Sequence, residues 1–350
     1  VIQASAPGRA GIIGNPTDMY GGCVLSCSIG ERAYCSLLPS EQSYIAVGDD
    51  VIYLENTESL NLDGGKFDLA KAALQAFEVD PTAEKFGMRV RTDIPEQAGL
   101  AGSTAMLASI VGCLIEYLGL DLTKYEIAET VREIEANIMG ITCGYQDQYM
   151  TVFGGLNFMD FTGKEYMGGL IPEPFATVEP LSDIVPELPM LVAHTGVKRF
   201  SGSVHKGLRE RWLGGEEKVV KGYQRIAELG RLGKKALVTR DWKTLGELMN
   251  ENHAIQRDLG GSSECNERLI EAALAHGALG AKLAGAGHGG TVIILTEDVE
   301  AMRKALQSIG VDKIILPRPA EGLIIERMWQ VDYHEQGTST DRFCRWMDRR

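Results

Sequence analysis

Ile94-Pro-Glu-Gln-Ala-Gly-Leu-Ala-Gly-Ser-Thr-Ala105, running on into Met106–Leu118, is the stretch on which the fold of this chain turns. Met106, Leu107, Ile110, Val111, Leu114, Ile115 and Leu118 recur at the three-and-four spacing of one helical face, which predicts a small-residue loop opening onto a helix. Ser103 is placed to cap that helix. The first turn of a helix carries unpaired N–H groups and a partial positive charge, so small residues there let an anion approach the backbone. Taken alone, Gly99 and Gly102 read more simply as a tight turn after a strand Met88–Ile94, with no ligand. No Gly-Lys-Ser/Thr follows, so the loop is not a Walker motif.

The 350 residues suffice for two domains, or for two halves sharing one core, and the 44% hydrophobic content is ordinary for a globular protein. A net charge of -13 argues against a general nucleic-acid or anionic-membrane binder and leaves small molecules as the expected partners. No apolar run reaches the length of a membrane span and no signal-like segment opens the sequence, so the default expectation is a cytoplasmic protein. Seven cysteines, at 23, 27, 35, 113, 143, 265 and 344, form no paired Cys-x-x-Cys clusters and read as reduced thiols.

Along the chain, Ile2–Ala6 reads as a short strand, followed by Pro7-Gly8-Arg9 and a turn-rich run from Gly14 to Gly22 that is too polar to be core. Arg32–Leu38, Tyr44–Val47 and Val51–Leu54 read as antiparallel strands, and Leu69, Ala73, Leu74 and Phe77 mark a helix. Thr123-Lys-Tyr-Glu126 is a capping box for a further helix that reaches Met139 and stops at Gly140. A proline-bearing stretch from Pro172 to Pro189 marks a boundary between halves. Met190–His194 then reads as a strand and Ser201–Gly277 as successive helices, one capped by Asp241. Lys198, Arg199, Lys206, Arg209 and Arg211 cluster near the start of that block, where on pattern alone a solvated helix face is the better account of them. Ala281–Ala284 and Thr291–Leu295 flank Gly285-Ala-Gly-His-Gly-Gly290, and a helix through Leu306 with strands Lys313–Leu316 and Gly322–Val331 closes the second half. The residues after Asp332 show no periodicity and read as a docked or disordered tail.

Gly285, Gly287 and Gly290 fit Gly-x-Gly-x-x-Gly, the spacing of a dinucleotide-binding turn, but that turn must open a helix and here a strand follows. Glycines between two strands instead allow close backbone approach to another segment, which suits closure of a site built elsewhere. A nicotinamide-dependent dehydrogenase is therefore a weak alternative.

Three glycine loops in order, Ala6-Pro-Gly-Arg9 with Gly14–Gly22, Pro95-x-x-x-Gly-Leu-x-Gly-Ser-Thr-Ala105, and Gly285-Ala-Gly-x-Gly-Gly290, resemble the three motifs of the GHMP small-molecule kinases, from about residue 4 to 330. Gly140-x-x-Cys-Gly-x-x-Asp-Gln148 is similar to the galactokinase version of that family's catalytic loop. Gly14-Asn-Pro-Thr-Asp-x-Tyr-x-Gly22, Ala98-Gly-Leu-x-Gly-Ser, Gly154-Gly-Leu-x-x-Met-Asp-Phe161 and Ser203-Val-His-x-x-x-Arg-x-Arg-Trp212 resemble the glucuronokinase branch. Two departures stand out: Asn15-Pro16 where galactokinases carry Glu-His, and Ala101-Gly102 in place of the usual Gly-Ser of the phosphate loop.

The resemblance implies an α+β, two-lobed GHMP kinase fold. Residues 1–185 would form an N-terminal lobe like ribosomal protein S5 domain 2, residues 186–335 a ferredoxin-like C-terminal lobe, and residues 336–350 a tail. It implies a phosphotransferase with ATP and Mg²⁺ as cofactors, acting on a sugar or sugar acid, most closely glucuronate. Galactose or a heptose is the alternative acceptor, and a sensor without catalysis the alternative class. Asp147 would orient or deprotonate the acceptor hydroxyl, and Arg9 would stabilise charge on the transferred group. Gly99, Leu100, Ala101, Gly102, Ser103 and Thr104 would hold the nucleotide phosphates, with Ser103 and Glu135 on the metal. Asn15, Asp18, Tyr20 and Gly287 would line the acceptor site, with Lys198 or Arg199 facing a substrate carboxylate and His288 near the closing loop.

Overall fold

The computed structural model describes residues 1–83, 85–164, 173–194, 196, 201–285 and 290–328, with only the backbone in 201–206. In chain order the elements are β1 (Ile2–Ile13), β2 (Cys23–Pro39), β3 (Tyr44–Val47), β4 (Asp50–Tyr53), α1 (Asp68–Ala76), β5 (Phe86–Thr92), α2 (Gly102–Leu118), α3 (Lys124–Glu133), α4 (Gln146–Phe153), β6 (Leu156–Asp160) and β7 (Thr177–Pro180). The second half holds β8 (Met190–His194), α5 (Ser201–Leu213), α6 (Glu217–Val238), α7 (Trp242–Asp258), α8 (Glu264–Ala275), β9 (Gly280–Leu283), β10 (Thr291–Leu295), α9 (Val299–Ser308), β11 (Ile314–Ile315) and β12 (Ile324–Arg327).

The first sheet runs β12-β1-β2-β5-β3-β4, with β6 and β7 attached beside β2. β2 is long enough to hold two neighbours on one side: Cys23–Cys27 pairs with β6 and Ala33–Pro39 with β5. Sequence pattern predicts a short strand Ile2–Ala6 and a turn at Pro7-Gly8-Arg9, but β1 continues through both. Register shifts between Pro7 and Arg9 and between Gly11 and Ile13 absorb the irregular residues as bulges, the position where a strand tolerates proline. β1 and β2 therefore form one long hairpin whose end is the Gly14–Gly22 loop. The apolar face of α2 lies on this hairpin, where Gly112 lets the helix approach Ala4, Leu323 and Ile325.

The second sheet runs β11-β8-β10-β9, all neighbours antiparallel. With α9 between β10 and β11, and the helices α5 to α8 filling the first crossover, this is the split β-α-β-β-α-β order of a ferredoxin-like lobe. The terminal strand departs from expectation. β12 does not close the second half but pairs with β1, Ile2 opposite Arg327 through Ser5 opposite Ile324.

One core joins the two sheets. Buried residues of β1, β2 and α2 continue without a break into Leu229, Leu237, Leu245, Met249, Ala284 and Ile293. The helix α6 comes close enough for this because of two glycines on its inner face. A Cβ at Gly230 would lie 2.9 Å from Cys23 Sγ, and one at Gly233 would lie 2.7 Å from Ile13 Cγ2. Gly230→Ala should destabilise the protein by about 1–3 kcal/mol through overpacking, a loss measurable by urea unfolding. A variant as stable as wild type would show that α6 does not press on the base of the hairpin loop.

Candidate active site

Between Gln97 and Ala101 the backbone alternates its handedness. Gln97, Gly99 and Ala101 take φ of 53°, 74° and 61°, while Ala98 and Leu100 do not adopt positive φ. Alternation of this kind turns successive N–H groups to one side and makes an anion-binding concavity. Ala101 is the residue before α2 and holds a left-handed conformation, with no side chain capping the helix. Ser103 is therefore not the cap that the pattern predicts. It stands in the first turn, exposed, and Thr104 beside it is buried. An uncapped helix start behind a concave backbone is a cradle for phosphate oxygens.

The third glycine loop closes on this cradle. A Cβ on Gly285 would lie 2.6 Å from Gly99 O and one on Gly290 2.6 Å from Ala98 O, so both must be glycine for the hairpin β9–β10 to seat. The Thr291 hydroxyl donates to Ala98 O at 3.1 Å. Because β10 and not a helix follows, the dinucleotide-turn alternative is removed. Gly287 and His288 lie outside the described residues.

Arg9, carried into place by the first bulge of β1, ties the loops together. Its N–H donates to Leu100 O at 3.0 Å, and its Nη1 donates to Gly99 O at 2.7 Å and to Ala284 O at 3.4 Å. Its Nε and Nη2 both donate to Asp147 Oδ1, at 2.8 and 2.5 Å. Asp147 sits in the first turn of α4 with its side chain one-third exposed, and Arg9 engages its Oδ1 and not its Oδ2. Asp18 braces the same turn: its Oδ2 accepts the N–H of Tyr145 at 2.8 Å and of Gln146 at 3.0 Å, against Gly144, where any side chain would collide with it. Behind α4, buried Lys164 donates to Pro174 O at 2.9 Å, pairs with Glu129 at 2.8 Å and lies over the Tyr145 ring.

The Gly14–Gly22 loop is not the solvated segment its polarity predicts. Asn15, Thr17, Asp18 and Met19 are all buried, and the polar side chains of Asn15, Thr17 and Asp18 each have a partner in the fold. Thr17 bonds Gly14 O at 2.7 Å, Asn252 on α7 accepts the Gly14 N–H at 2.9 Å, and Lys282 donates to Asn15 Oδ1 at 2.7 Å. Tyr20 stacks on Tyr223 at 4.4 Å and leans on Trp212 at 5.0 Å, which brings the Ser203–Trp212 run to the loop. Burial pushes the Tyr20 hydroxyl up to about 12. Arg211 is spent on Glu216 and on Leu259 O at the end of its helix. Lys198 and Arg199 lie outside the described residues.

Glu135 completes the site from the other side. It lies in a widened turn after α3, where Met139 N–H reaches back to Ile134 O. Thr104 donates to its Oε1 at 2.8 Å and Gln148 donates to its Oε2. Burial raises Glu135 to about 7; the bonds from Thr104 and Gln148 pull it back down and nearby Asp147 pushes it further up. Among the described residues no group of three or more His, Cys, Asp or Glu side chains could hold a metal by itself. A single carboxylate with hydroxyls beside a phosphate cradle is the donor set that suits Mg²⁺, which takes one or two carboxylates and completes its shell with phosphates and water. The residues present fit such an ion.

Thr104, expected in the phosphate loop, turns its side chain to Glu135. One residue beside the site escaped the sequence pattern: Lys282, whose charge inside the apolar strand β9 is the one available signal. Lys282 is fully buried, bonded to Asn15 Oδ1 and to Leu283 O at 2.6 Å. Desolvation, with Arg9 nearby, lowers it to about 7.

Family models match three parts of the chain: the GHMP kinases N terminal domain over residues 68–155, the GHMP kinases C terminal over 234–312 and the galactokinase galactose-binding signature over 2–38. Glucuronokinase 1 of Arabidopsis thaliana is 29% identical over 328 residues, 87% of this chain and 88% of that protein. The D-glycero-alpha-D-manno-heptose 7-phosphate kinase of Campylobacter jejuni is 27% identical over 87% of this chain and 93% of its own length. The crystal structure of Lactococcus lactis galactokinase complexed with galactose shares the fold, with a TM-score of 0.73 at 19% identity over 92% of this chain and 95% of that one.

Lys282 makes stability depend on pH in a predictable direction. Between about 7 and the ordinary lysine value of 10.5 the unfolded chain holds a proton that the folded chain does not, so this contribution grows as pH rises and is lost as pH falls to about 7. Relative to Lys282→Met, the wild type should gain stability between pH 7 and pH 9.5 in urea unfolding. Parallel pH profiles for the two proteins would rule the shift out.

Proposed function

Because the chain belongs to the GHMP kinase family, we propose that it transfers the γ-phosphate of ATP to the anomeric 1-hydroxyl of a sugar, D-glucuronate giving glucuronate 1-phosphate. The observation that carries this reading is the Arg9–Asp147 pair held at the mouth of a backbone phosphate cradle. Phosphoryl transfer asks a protein for positioning and for neutralisation of charge on phosphate oxygens, and little covalent work.

Each part has its residue. The N–H groups from Gly99 to Thr104 and the dipole of α2 hold the nucleotide phosphates, with Gly285 and Gly290 bringing the second lobe onto them. Arg9 has its Nε–Nη2 edge on Asp147 and its Nη1 on Gly99 O, so its charge stands between acceptor and cradle. Asp147 accepts the acceptor hydroxyl on Oδ2, orienting it and taking its proton as the oxygen attacks. Asp18, Asn15 and Tyr20 shape the acceptor loop, Asp18 by fixing the turn that bears Asp147. Ser103 and Glu135 would hold Mg²⁺, which when bound supplies neutralisation of the phosphate charge.

Support for glucuronate comes from the glucuronokinase relatives over most of the chain. The galactose-binding signature over residues 2–38 makes galactose the first competitor. Lys198 and Arg199 are the cations we assign to the uronate carboxylate.

ADP release with ATP and Mg²⁺ should be fastest on glucuronate among glucuronate, galacturonate, galactose, heptose phosphate, mevalonate and homoserine; activity on a neutral hexose alone would sink the uronate assignment. Lys198→Ala and Arg199→Ala should lose discrimination between glucuronate and glucose, and an unchanged ratio would remove both residues from the carboxylate site. Asp147→Asn should lower turnover by roughly 10²–10⁴-fold while nucleotide affinity, measured by calorimetry, stays that of wild type. Tight sugar binding by the wild type with no ADP release would instead identify a sensor.

A further inference from the structure

Ser103 and Thr104 are adjacent hydroxyls in the first turn of α2, and the helix sends them in different directions, about 100° apart. Ser103 is exposed at the mouth of the cradle and makes no hydrogen bond to Glu135. Thr104 is 4% exposed and its hydroxyl donates to Glu135 Oε1 at 2.8 Å. On the other side of the carboxylate, Gln148, the residue after Asp147, donates to Oε2. Glu135 forms no ion pair among the described residues: Arg132, one turn earlier, has its guanidinium over the Tyr145 ring. A carboxylate that is 3% exposed is thus held by two neutral donors, with Arg132 acting on it only at a distance and no cation in ion-pair contact among the described residues.

That arrangement is costly unless a cation arrives. A buried carboxylate carries a desolvation penalty that neutral hydrogen bonds only partly offset, and its two oxygens have about four lone-pair sites, of which the protein uses two. Each oxygen keeps a lone pair for an ion. Free rotation of the Glu135 side chain would have to be frozen out at every binding event, and the two donors freeze it beforehand.

We propose that Thr104 is a positioning residue for the divalent cation: acting through Glu135, it fixes the carboxylate in the orientation that meets the ion carried by the nucleotide, while Ser103 remains the hydroxyl that faces the ion. The inference rests on the phosphotransfer reading and adds to it a residue with its own part, the hydroxyl that the chain carries directly after Ser103. Gln148 is the second half of the clamp, which couples the orientation of Glu135 to the helix bearing Asp147.

The test is Mn²⁺ binding to the protein saturated with a non-hydrolysable ATP analogue, followed by electron paramagnetic resonance. No sugar is needed. Thr104→Val, which keeps the shape and removes the donor, should weaken Mn²⁺ binding roughly tenfold and raise the Mg²⁺ concentration for half-maximal ADP release by the same factor. Affinity for the analogue without metal should not change. Thr104→Ser should restore both metal values, which a merely structural threonine methyl would not allow. Gln148→Leu should reproduce the Thr104→Val defect and guards against a folding failure at either single site. The proposal is overturned if Thr104→Val binds Mn²⁺ within twofold of wild type, or if Thr104→Ser is as impaired as Thr104→Val. If the wild type with the analogue binds no Mn²⁺, the metal-dependent phosphotransfer reading falls, and this proposal with it.

Discussion

The Arg9 guanidinium is the constraint on which the rest of the site depends. Three segments far apart in sequence, the phosphate loop, the end of β9 and the start of α4, offer it two carbonyls and a carboxylate, and its own backbone N–H fastens a third carbonyl. A planar group with five donors in a fixed fork can satisfy such a set only when all partners stand in one geometry. Arg9 therefore acts as a gauge. It reaches that point because β1 bulges at Gly8, where a side chain would strike Leu100 O at 2.7 Å.

The chemistry expected here concentrates negative charge, yet the chain as a whole carries a net charge of -13. The contradiction is local only. The phosphate cradle is made of backbone N–H groups and a helix start, whose partial charges are fixed in direction and add nothing to the net count. Arg9 is the full charge next to it, buried, so salt in solution screens it weakly. Acidic residues elsewhere on the surface repel stray polyanions, so an anion on the proposed phosphotransfer reading meets favourable potential only at the recessed N–H groups.

Much of this was legible in the residues, and the failures have physical causes. Helix periodicity from Met106 to Leu118, the Thr123–Glu126 capping box, the Asp241 cap and the strand Met190–His194 all appear where their patterns put them, because each is a local signal. Gly285 and Gly290 make the close approach of backbone to another segment that their place between two strands predicts. What the pattern hid was non-local. Nothing in Gly14–Gly22 reveals that Asn252 and Lys282, more than 200 residues later, satisfy its polar groups and so let it be buried. Pro7 and Gly8 look like a turn until β2 is known to pair on both sides of them. Ser103 looks like a cap, but Ala101 takes the left-handed position and shifts the helix start, leaving Thr104 to reach Glu135. The widened turn that presents Glu135 has no composition signature at all.

The pairing of β12 with β1 has a consequence for how the protein is made. The sheet begun by residues 2–13 stays incomplete on one edge until residues 324–327 are available, so its closing contact spans more than 300 positions of chain. Contacts of such separation form late, because the loop entropy must be met before they return any stabilisation. On a ribosome delivering residues in order, β1 waits with an unpaired edge while the 300 and more residues up to β12 emerge. During that interval β1 is the segment most open to wrong partners, and shielding its edge is the natural task for any chaperone that attends this chain.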